Sequence, residues 1–215
     1  MKKLAHGTIF AVPLPDGTYI CGRVMLDVLG CIKRRLLPAD SPLIGIFAEA
    51  LLIEMYSAIT SNPEYVPSQV LIPGAFVESK EVGKAWPVVG EEPIDPHKVE
   101  FPEALVGAVH TNGQAAFHCG EMEVLLPFNR GDLQEISVFH GRHSAFYWPY
   151  MCLWALGRKA EIPTDWIGIT FERDDLRFCF SPHRARVYEH LPFQMEQSYF
   201  EKQAQMGLHL ERLYE

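Results

Sequence analysis

The side chains of this chain that could perform chemistry are its nine histidines and five cysteines. His140 and His143 are three positions apart, a spacing that can place two imidazoles on one helical face, and the adjacent pair His118 and Cys119 could add ligands for zinc. However, a glycine and an arginine interrupt the first pair, and there is no second tight pair at ligand spacing. We therefore interpret these histidines as surface or hydrogen-bonded residues and predict neither a metal site nor a cofactor.

A cysteine nucleophile would need a histidine beside it in space. Cys119 or Cys179 could pair with His110, His118 or His183, but a chain with this many residues of both types offers such pairs by chance. The sequence contains no GxSxG, no HExxH, no phosphate-binding glycine loop and no dinucleotide fingerprint. We predict no catalytic residue, and a Cys/His or zinc-dependent hydrolase with its site in the second half remains the alternative.

Two carboxylates, Glu121 and Glu123, are two positions apart in a predicted strand, which places them on the same face of that strand. Such a pair could act as acid and base in glycoside hydrolysis, but spacing in sequence does not define the distance that this reaction requires. Exposure to solvent is the simpler interpretation of both side chains.

The cysteines also indicate the compartment. Their number is odd, no CxxC occurs, and all five have apolar or aromatic neighbours, which favours buried, reduced thiols. Residues 1–7 contain two lysines without a following apolar run, so no signal peptide is predicted. The longest apolar stretch, residues 43–59, is interrupted by Glu49 and Glu54 and is too short to cross a bilayer. We therefore predict a cytoplasmic protein that does not contact a membrane.

Composition excludes a disordered chain and a nonspecific nucleic-acid binder. Hydrophobic residues make up 48% of the 215 residues and charged residues 21%, which is enough apolar material for a core. The net charge is −8, opposite in sign to what is needed to displace counterions from nucleic acid. Residues 49–105 contain 10 acidic and 3 basic side chains and are the most acidic part of the chain. An acidic surface there would attract a basic partner.

Five aromatic residues are concentrated between positions 146 and 154, namely Phe146, Tyr147, Trp148, Tyr150 and Trp154. Stacking of nucleobases would need interleaved basic residues, and only Arg142 and Arg158 flank the run. A core cluster is the first interpretation and a protein interface the second. In the second case Trp148 and Tyr150 contact a partner, or a second copy of the chain in a self-associating adaptor module.

The spacing of apolar and turn residues predicts a β-rich first half. A hairpin is predicted from residues 8–14 and 19–26 around a Pro-Asp-Gly turn, with a bulge or close backbone approach at Gly22. Residues 43–47 predict a buried strand, and residues 48–59 are compatible with a helix or a strand. Short strands are also predicted at 70–72, ended by Pro73, and at 74–77 and 86–90.

In the second half, strands are predicted at residues 115–119, 122–126 and 133–139, and a second hairpin at 166–171 and 176–180. Residues 192–214 predict a C-terminal helix with a weak point at Gly207. The sum is a β-rich α+β fold, with antiparallel sheets or a partly open barrel and a C-terminal helix. Two regions are predicted, 1–105 and 106–215, with one continuous domain as the alternative.

The N-terminal hairpin resembles a known family. The segment HGTIFAVPLPDGTY at residues 6–19, which continues into GRV at 22–24, is similar to the opening of the immunity protein 26 family of bacterial polymorphic toxin systems. The segment KAWPVVGEEP at residues 84–93 resembles a later part of that family, and the resemblance covers about residues 6–105. Its shared positions are structural: Gly17 for the turn, Gly22 for the bulge and Arg23 for an ion pair.

The resemblance implies a protein that binds and neutralises a co-encoded toxin by occlusion, without catalytic residues. If that toxin is a nuclease, its active site is basic, and acidic side chains of the inhibitor could occupy it and accelerate association. The acidic stretch supplies the candidate partner-binding residues Glu78, Glu81, Glu91, Glu92, Asp95, Glu100 and Glu103. The expected partner is therefore a cognate toxin, and homo-oligomers are compatible with the sequence.

Overall fold

The computed structural model describes residues 4–45, 47–107, 113–129, 143–166, 171, 175–178 and 183–215, without the side chain of Glu81. These residues form two antiparallel sheets and several short helices, so the predicted β-rich α+β class is confirmed, and neither sheet closes into a barrel. Residues 133–139, predicted as a strand, lie outside the described part. So do His110, His140, Arg142 and Cys179.

The larger sheet has five strands in the order β4-β3-β2-β1-β5. Its strands are β1 (Thr8–Pro13), β2 (Tyr19–Asp27), β3 (Ala50–Thr60), β4 (Val70–Glu78) and β5 (Val88–Glu91). The β1–β2 hairpin is confirmed, because Gly17 adopts φ +85° in the turn and the Asp16 carboxylate accepts a bond from the Thr18 amide at 2.9 Å. Side chains alternate between the two faces of β1, as the two-residue period requires.

The smaller sheet is a meander of β6 (Glu103–Gly107), β7 (Gln114–Cys119) and β8 (Met122–Asn129). Its last two strands confirm the predictions at 115–119 and 122–126.

Glu121 was expected to be exposed, but it is only 8% exposed and pairs with Arg212 at 2.6 Å. It lies in the β7–β8 turn, over which the C-terminal segment folds, whereas Glu123 is exposed.

Six short α-helices are found among the described residues, and 3-10 turns separate several of them. The helices are α1 (Val28–Lys33), α2 (Pro42–Gly45), α3 (Ser79–Ala85), α4 (Trp148–Ala155), α5 (His183–Tyr188) and α6 (Tyr199–Gln205). The 3-10 turns are Pro96–Lys98, Lys159–Glu161, Thr164–Trp166, Leu176–Phe178 and Leu210–Tyr214. Local sequence explains the starts of two helices: Asp27 caps α1, and Ser198 with Glu201 forms a capping box on α6.

Two strand predictions in the first half are wrong. Residues 43–47 were expected to form a buried strand, but Pro42 begins the helical turn α2 there, while Leu43 and Phe47 are still buried. Residues 70–72 and 74–77 were expected to be separated by Pro73, but β4 runs through both. Proline is tolerated there because β4 is an edge strand, and the Pro73 carbonyl accepts a bond from Arg177.

Two predictions in the second half also need correction. The hairpin expected around residues 172–175 is not formed by the described residues, since Trp166 ends one 3-10 turn and Leu176–Phe178 form another. The Asp175 carboxylate accepts a bond from the Arg177 amide at 3.0 Å and thereby stabilises that turn. The C-terminal helix is shorter than predicted, because Gly207 takes φ +72° after α6 and the chain continues as a 3-10 turn.

The main hydrophobic core combines side chains from both predicted regions. Phe76 of β4 packs against Phe47 at 4.0 Å between ring centroids and against Phe101 at 6.1 Å. Phe101 in turn packs against Tyr199 of α6 at 4.3 Å. A second core cluster lies between the five-stranded sheet and α4, where Trp148 is fully buried. Residues 106–215 therefore cover the larger sheet as well as forming their own elements.

A buried ion cluster, consisting of Glu103, Arg184, Tyr188 and Lys202, joins β6 to the helices α5 and α6. Glu103 is 2% exposed and accepts bonds from Arg184 at 2.8 and 2.9 Å, from Tyr188 at 2.5 Å and from Lys202 at 3.0 Å. Burial would raise the pKa of Glu103, but the hydrogen bonds from Arg184 and the charge of Lys202 hold it below its ordinary value. Glu103 was expected to contact a partner, but a carboxylate enclosed in this way cannot do so.

Candidate interaction site

A network of charged and tyrosine side chains occupies the centre of one face of the five-stranded sheet. The antiparallel register of β2 and β3 places Arg23 directly opposite Glu54. The Arg23 guanidinium donates to Glu54 Oε1 from Nε at 3.1 Å and from Nη2 at 2.7 Å. Tyr56 is two residues further along β3, so it shares this face and donates to the same oxygen at 2.5 Å.

Gly22 makes the close approach of β2 and β3 at this point possible. A Cβ atom added there would lie 2.5 Å from Met55 Sδ and 2.6 Å from the Glu54 carbonyl oxygen. The pairing of the two strands also shifts register between Ile20 and Gly22. The structure therefore confirms both readings of this glycine, the bulge and the close backbone approach.

The loop between β3 and β4 folds back over this network. The Cys21 thiol donates to the Glu64 carbonyl oxygen at 3.1 Å, and the rings of Tyr56 and Tyr65 are 5.5 Å apart. Tyr65 donates to Glu92 Oε2 at 3.3 Å. Glu92 also lies 3.5 Å from Arg23 Nη1, so the network extends from the middle of the sheet to its β5 edge.

Four acidic side chains lie on the segments that flank this network, the β3–β4 loop and the chain from the end of β5 onward, and we call them the acidic rim: Glu64, Glu91, Glu92 and Asp95. Glu64 and Glu91 are exposed, while the side chains of Glu92 and Asp95 are 43% and 49% exposed. Arg23 Nη1 donates to the Pro93 carbonyl at 3.4 Å, which ties the segment carrying three of the four to the sheet. Glu54 neutralises Arg23, and Lys98 lies 3.6 Å from the Asp95 carboxylate, so the four carboxylates of the rim outnumber the cations beside them.

The network itself holds its members in their ionisation states. Burial of Tyr56 and its bond to Glu54 raise the pKa of that phenol, so Tyr56 remains a hydrogen-bond donor. Burial would lower the pKa of Arg23, but the charge of Glu54 raises it above its ordinary value. Glu54 Oε1 accepts three bonds from Arg23 and Tyr56, and the Glu54 side chain is only 7% exposed. The network positions the rim rather than supplying reactive groups.

The predicted partner-binding residues are therefore divided by the structure. Glu91, Glu92 and Asp95 follow one another at the end of β5 and just after it, whereas Glu78 is half-buried at the start of α3 and Glu100 accepts a bond from the Tyr199 amide at 3.1 Å. Glu81 lies in α3. Trp148 has no exposed surface and cannot contact a partner, while Tyr150 is half-buried at the surface of α4.

Sequence reasoning predicted an ion pair for Arg23 but missed its partners. The position of Glu54 could have indicated one of them. Glu54 interrupts an apolar run, and a carboxylate on a buried strand face needs a partner such as Arg23. The contacts of Glu64 and Tyr65 could not be predicted in this way. Both residues lie in a polar loop, and their contacts with the sheet depend on how that loop folds back over it.

Of the residues in the alternative hydrolase hypothesis, Cys179, His110 and His140 lie outside the described part, and the described Cys119 and His118 do not form a reactive pair. Burial raises the pKa of the Cys119 thiol well above its ordinary value, and the thiol donates to the Phe101 carbonyl at 3.7 Å. His118 is buried, with its ring stacked on Phe47. Within the described ranges, no three His, Cys, Asp or Glu side chains are arranged to hold a metal ion. Cys21, Cys31, Cys119 and Cys152 are buried and unpaired, as predicted.

Residues 5–104 match the family Immunity protein 26. The match confirms the resemblance seen in the N-terminal hairpin, and it contains all of β1 to β5, the Arg23 network and the acidic rim. Immunity protein 26 is, by its description, a family of immunity proteins. No curated protein and no solved structure matches the chain. In the part of the chain that the structure describes, no helix is long and apolar enough to cross a membrane.

Proposed function

We propose that this protein is a cytoplasmic immunity protein that binds a cognate polymorphic toxin and neutralises it by occlusion. The acidic rim is the observation that carries the proposal. It lies in the segment shared with Immunity protein 26, and the backbone segments that carry it are tied to the five-stranded sheet by Cys21 and Arg23, which also binds the Glu92 carboxylate. A preformed acidic surface costs little conformational entropy on binding, which favours a tight complex.

The partner that fits this surface is a toxin with a basic active site, of which a nuclease is the clearest example. Such a site must bind phosphates and is therefore lined by lysine and arginine. The carboxylates of Glu91, Glu92 and Asp95 can take the place of those phosphates. The opposite charges also steer the two proteins together and raise the association rate.

Growth rescue tests the proposed function. The toxic domain encoded beside this chain is expressed in a laboratory host, alone and together with the chain. We expect the domain alone to stop growth, and co-expression to restore growth together with a complex that can be isolated. Failure to restore growth, with both proteins soluble, would contradict the proposal.

Reversing charges of the acidic rim should slow association with the toxin. We expect the triple variant Glu64→Lys, Glu91→Lys and Asp95→Lys to associate at least about tenfold more slowly at low ionic strength, because steering is lost. The loss should shrink at physiological salt, where charges are screened. Stopped-flow fluorescence at two salt concentrations measures both effects.

A matched control variant distinguishes the effect of charges in the acidic rim from the effect of the total charge of the protein. Glu189, Glu196 and Glu211 are also exposed, and they lie on the C-terminal segments. Their replacement by lysine changes the net charge from −8 to −2, as the rim variant does. We expect this control to associate nearly as fast as the unmodified chain, and equal slowing by both variants would argue against a toxin-binding rim.

A further inference from the structure

An open groove of about 720 Å³ lies beside the second core cluster, between the end of β1 and the start of α4. One wall is formed by Pro13 and Pro15, which are exposed where β1 ends. The lining also includes Phe146, Pro149 and Tyr150 from the start of α4 and the residues before it. Prolines of the hairpin and aromatic rings of the α4 segment thus line the same accessible groove.

The groove is preformed. Trp86 contributes to its lining and is held from behind by Phe10, whose ring stacks on it at 5.0 Å, and by the edge of Trp148 at 6.4 Å. On the α4 side, the ring of Tyr150 is stacked on Trp166 at 5.7 Å with an angle of 17°. A ligand entering this groove meets aromatic side chains that are already ordered by packing.

An ion-pair bridge fixes the distance between the two sides. Arg158, beyond the end of α4, donates to Asp16 of the hairpin turn at 2.7 Å and also binds Glu161. The Asp16 carboxylate is at the same time bound by Thr18, which holds the turn in shape. The hairpin end and the α4 segment are therefore connected by polar contacts outside the groove.

Phe146 is the most exposed large hydrophobic side chain among the described residues, at 62%. Lys84 is exposed and is the only charged residue among the described residues that line the groove. A lysine in an otherwise apolar lining favours an occupant that is mostly apolar and places a carboxylate at Lys84, where this local attraction opposes the repulsion from the net charge of −8.

We propose that this groove docks an extended, proline-containing segment of a partner protein, with an acidic residue of the segment paired to Lys84. Polyproline segments bind in grooves lined by aromatic side chains, since their rings pack against the aromatic faces and their extended shape is already present before binding. This groove is a different surface from the acidic rim. The proposed function can therefore hold when peptide docking fails, and peptide docking can hold when the proposed function fails.

Fluorescence anisotropy with labelled peptides tests the proposal on the full chain. The probe is ten prolines preceded by two glutamates, and the comparison peptides replace the glutamates by lysines or the prolines by alternating glycine and serine. We expect the acidic proline peptide to bind most tightly. Phe146→Ala should weaken its binding about tenfold, as truncation of an exposed aromatic anchor does. Lys84→Glu should reverse the preference between acidic and basic proline peptides.

Leu125→Ala is the matched control, because Leu125 is an exposed apolar side chain, at 49%, on β8. We expect this variant to bind the acidic peptide as the unmodified chain does. Absence of binding, equal binding of all three peptides, or equal effects of Phe146→Ala and Leu125→Ala would overturn the proposal. So would sedimentation of a dimer that Phe146→Ala converts to a monomer, because a second copy of the chain would then occupy the groove.

Discussion

Glu103→Gln should destabilise the protein by about 3–5 kcal/mol, the loss expected when one partner of a buried ion cluster is removed. The substitution keeps the shape of the side chain but leaves Lys202, itself 2% exposed, and Arg184 without their shared carboxylate. Lys202 would then be held in the interior without a compensating charge, whereas Arg184, whose side chain is 26% exposed, can still reach water. Urea unfolding followed by tryptophan fluorescence measures the free energy change, with an unchanged m-value if the native fold is kept.

Glu123→Gln in the same sheet is the matched control, because Glu123 is exposed and its substitution should change stability by less than about 0.5 kcal/mol.

The two variants should also differ in how their stability responds to acid. The pKa of Glu103 is lower in the folded state than in the unfolded state. The stabilisation that Glu103 contributes is therefore fully present above its unfolded pKa and is lost as the pH falls through its folded pKa. The stability difference between the unmodified chain and Glu103→Gln should therefore diminish below about pH 4. A small, pH-independent difference would show that the cluster contributes little.

Trp148→Ala should destabilise the protein by about 3–5 kcal/mol, the usual cost of truncating a large buried aromatic residue. Trp148 is fully buried at the start of α4 and contacts Trp86 and Phe171 edge-on, at 6.4 and 6.0 Å. Its removal would leave a cavity between α4 and the five-stranded sheet. Thermal unfolding followed by circular dichroism measures the loss as a lower melting temperature.

Trp148→Phe keeps part of the volume and should fold if the alanine variant does not, with a smaller loss. Phe146→Ala, two positions earlier, is the matched surface variant and should leave the melting temperature nearly unchanged. A Trp148→Phe protein that keeps the full stability of the unmodified chain would contradict the assignment of Trp148 to the core.

The elements that could be predicted from the sequence are those that depend on local rules. The β1–β2 hairpin follows from a Pro-Asp-Gly turn between two apolar runs, and Gly17 takes the positive φ that such a turn requires. Arg23 was predicted to form an ion pair, and it does so with Glu54. The strands β7 and β8 were also predicted, because each is a short apolar run next to a glycine turn.

Errors arose where a neighbouring segment decides the local structure. Apolar residues 43–47 are as suitable for a strand as for a helical turn, and their burial alone could not distinguish the two. Pro73 would normally end a strand, but Arg177, which is 104 positions away in sequence, binds the carbonyl groups of Pro73 and Gly74. The conformation of β4 at this point depends on a contact that no local pattern contains.

What the sequence determined by itself is a folded, acidic, β-rich chain whose first half follows the immunity protein 26 pattern. The tertiary structure decided which carboxylates can meet a partner. Glu91, Glu92 and Glu103 belong to the same acidic stretch, yet the first is exposed, the second is half-buried and the third is enclosed by Arg184 and Lys202. The physical reason is that exposure depends on what the rest of the chain packs against, and α5 and α6 lie over β6 but not over β5.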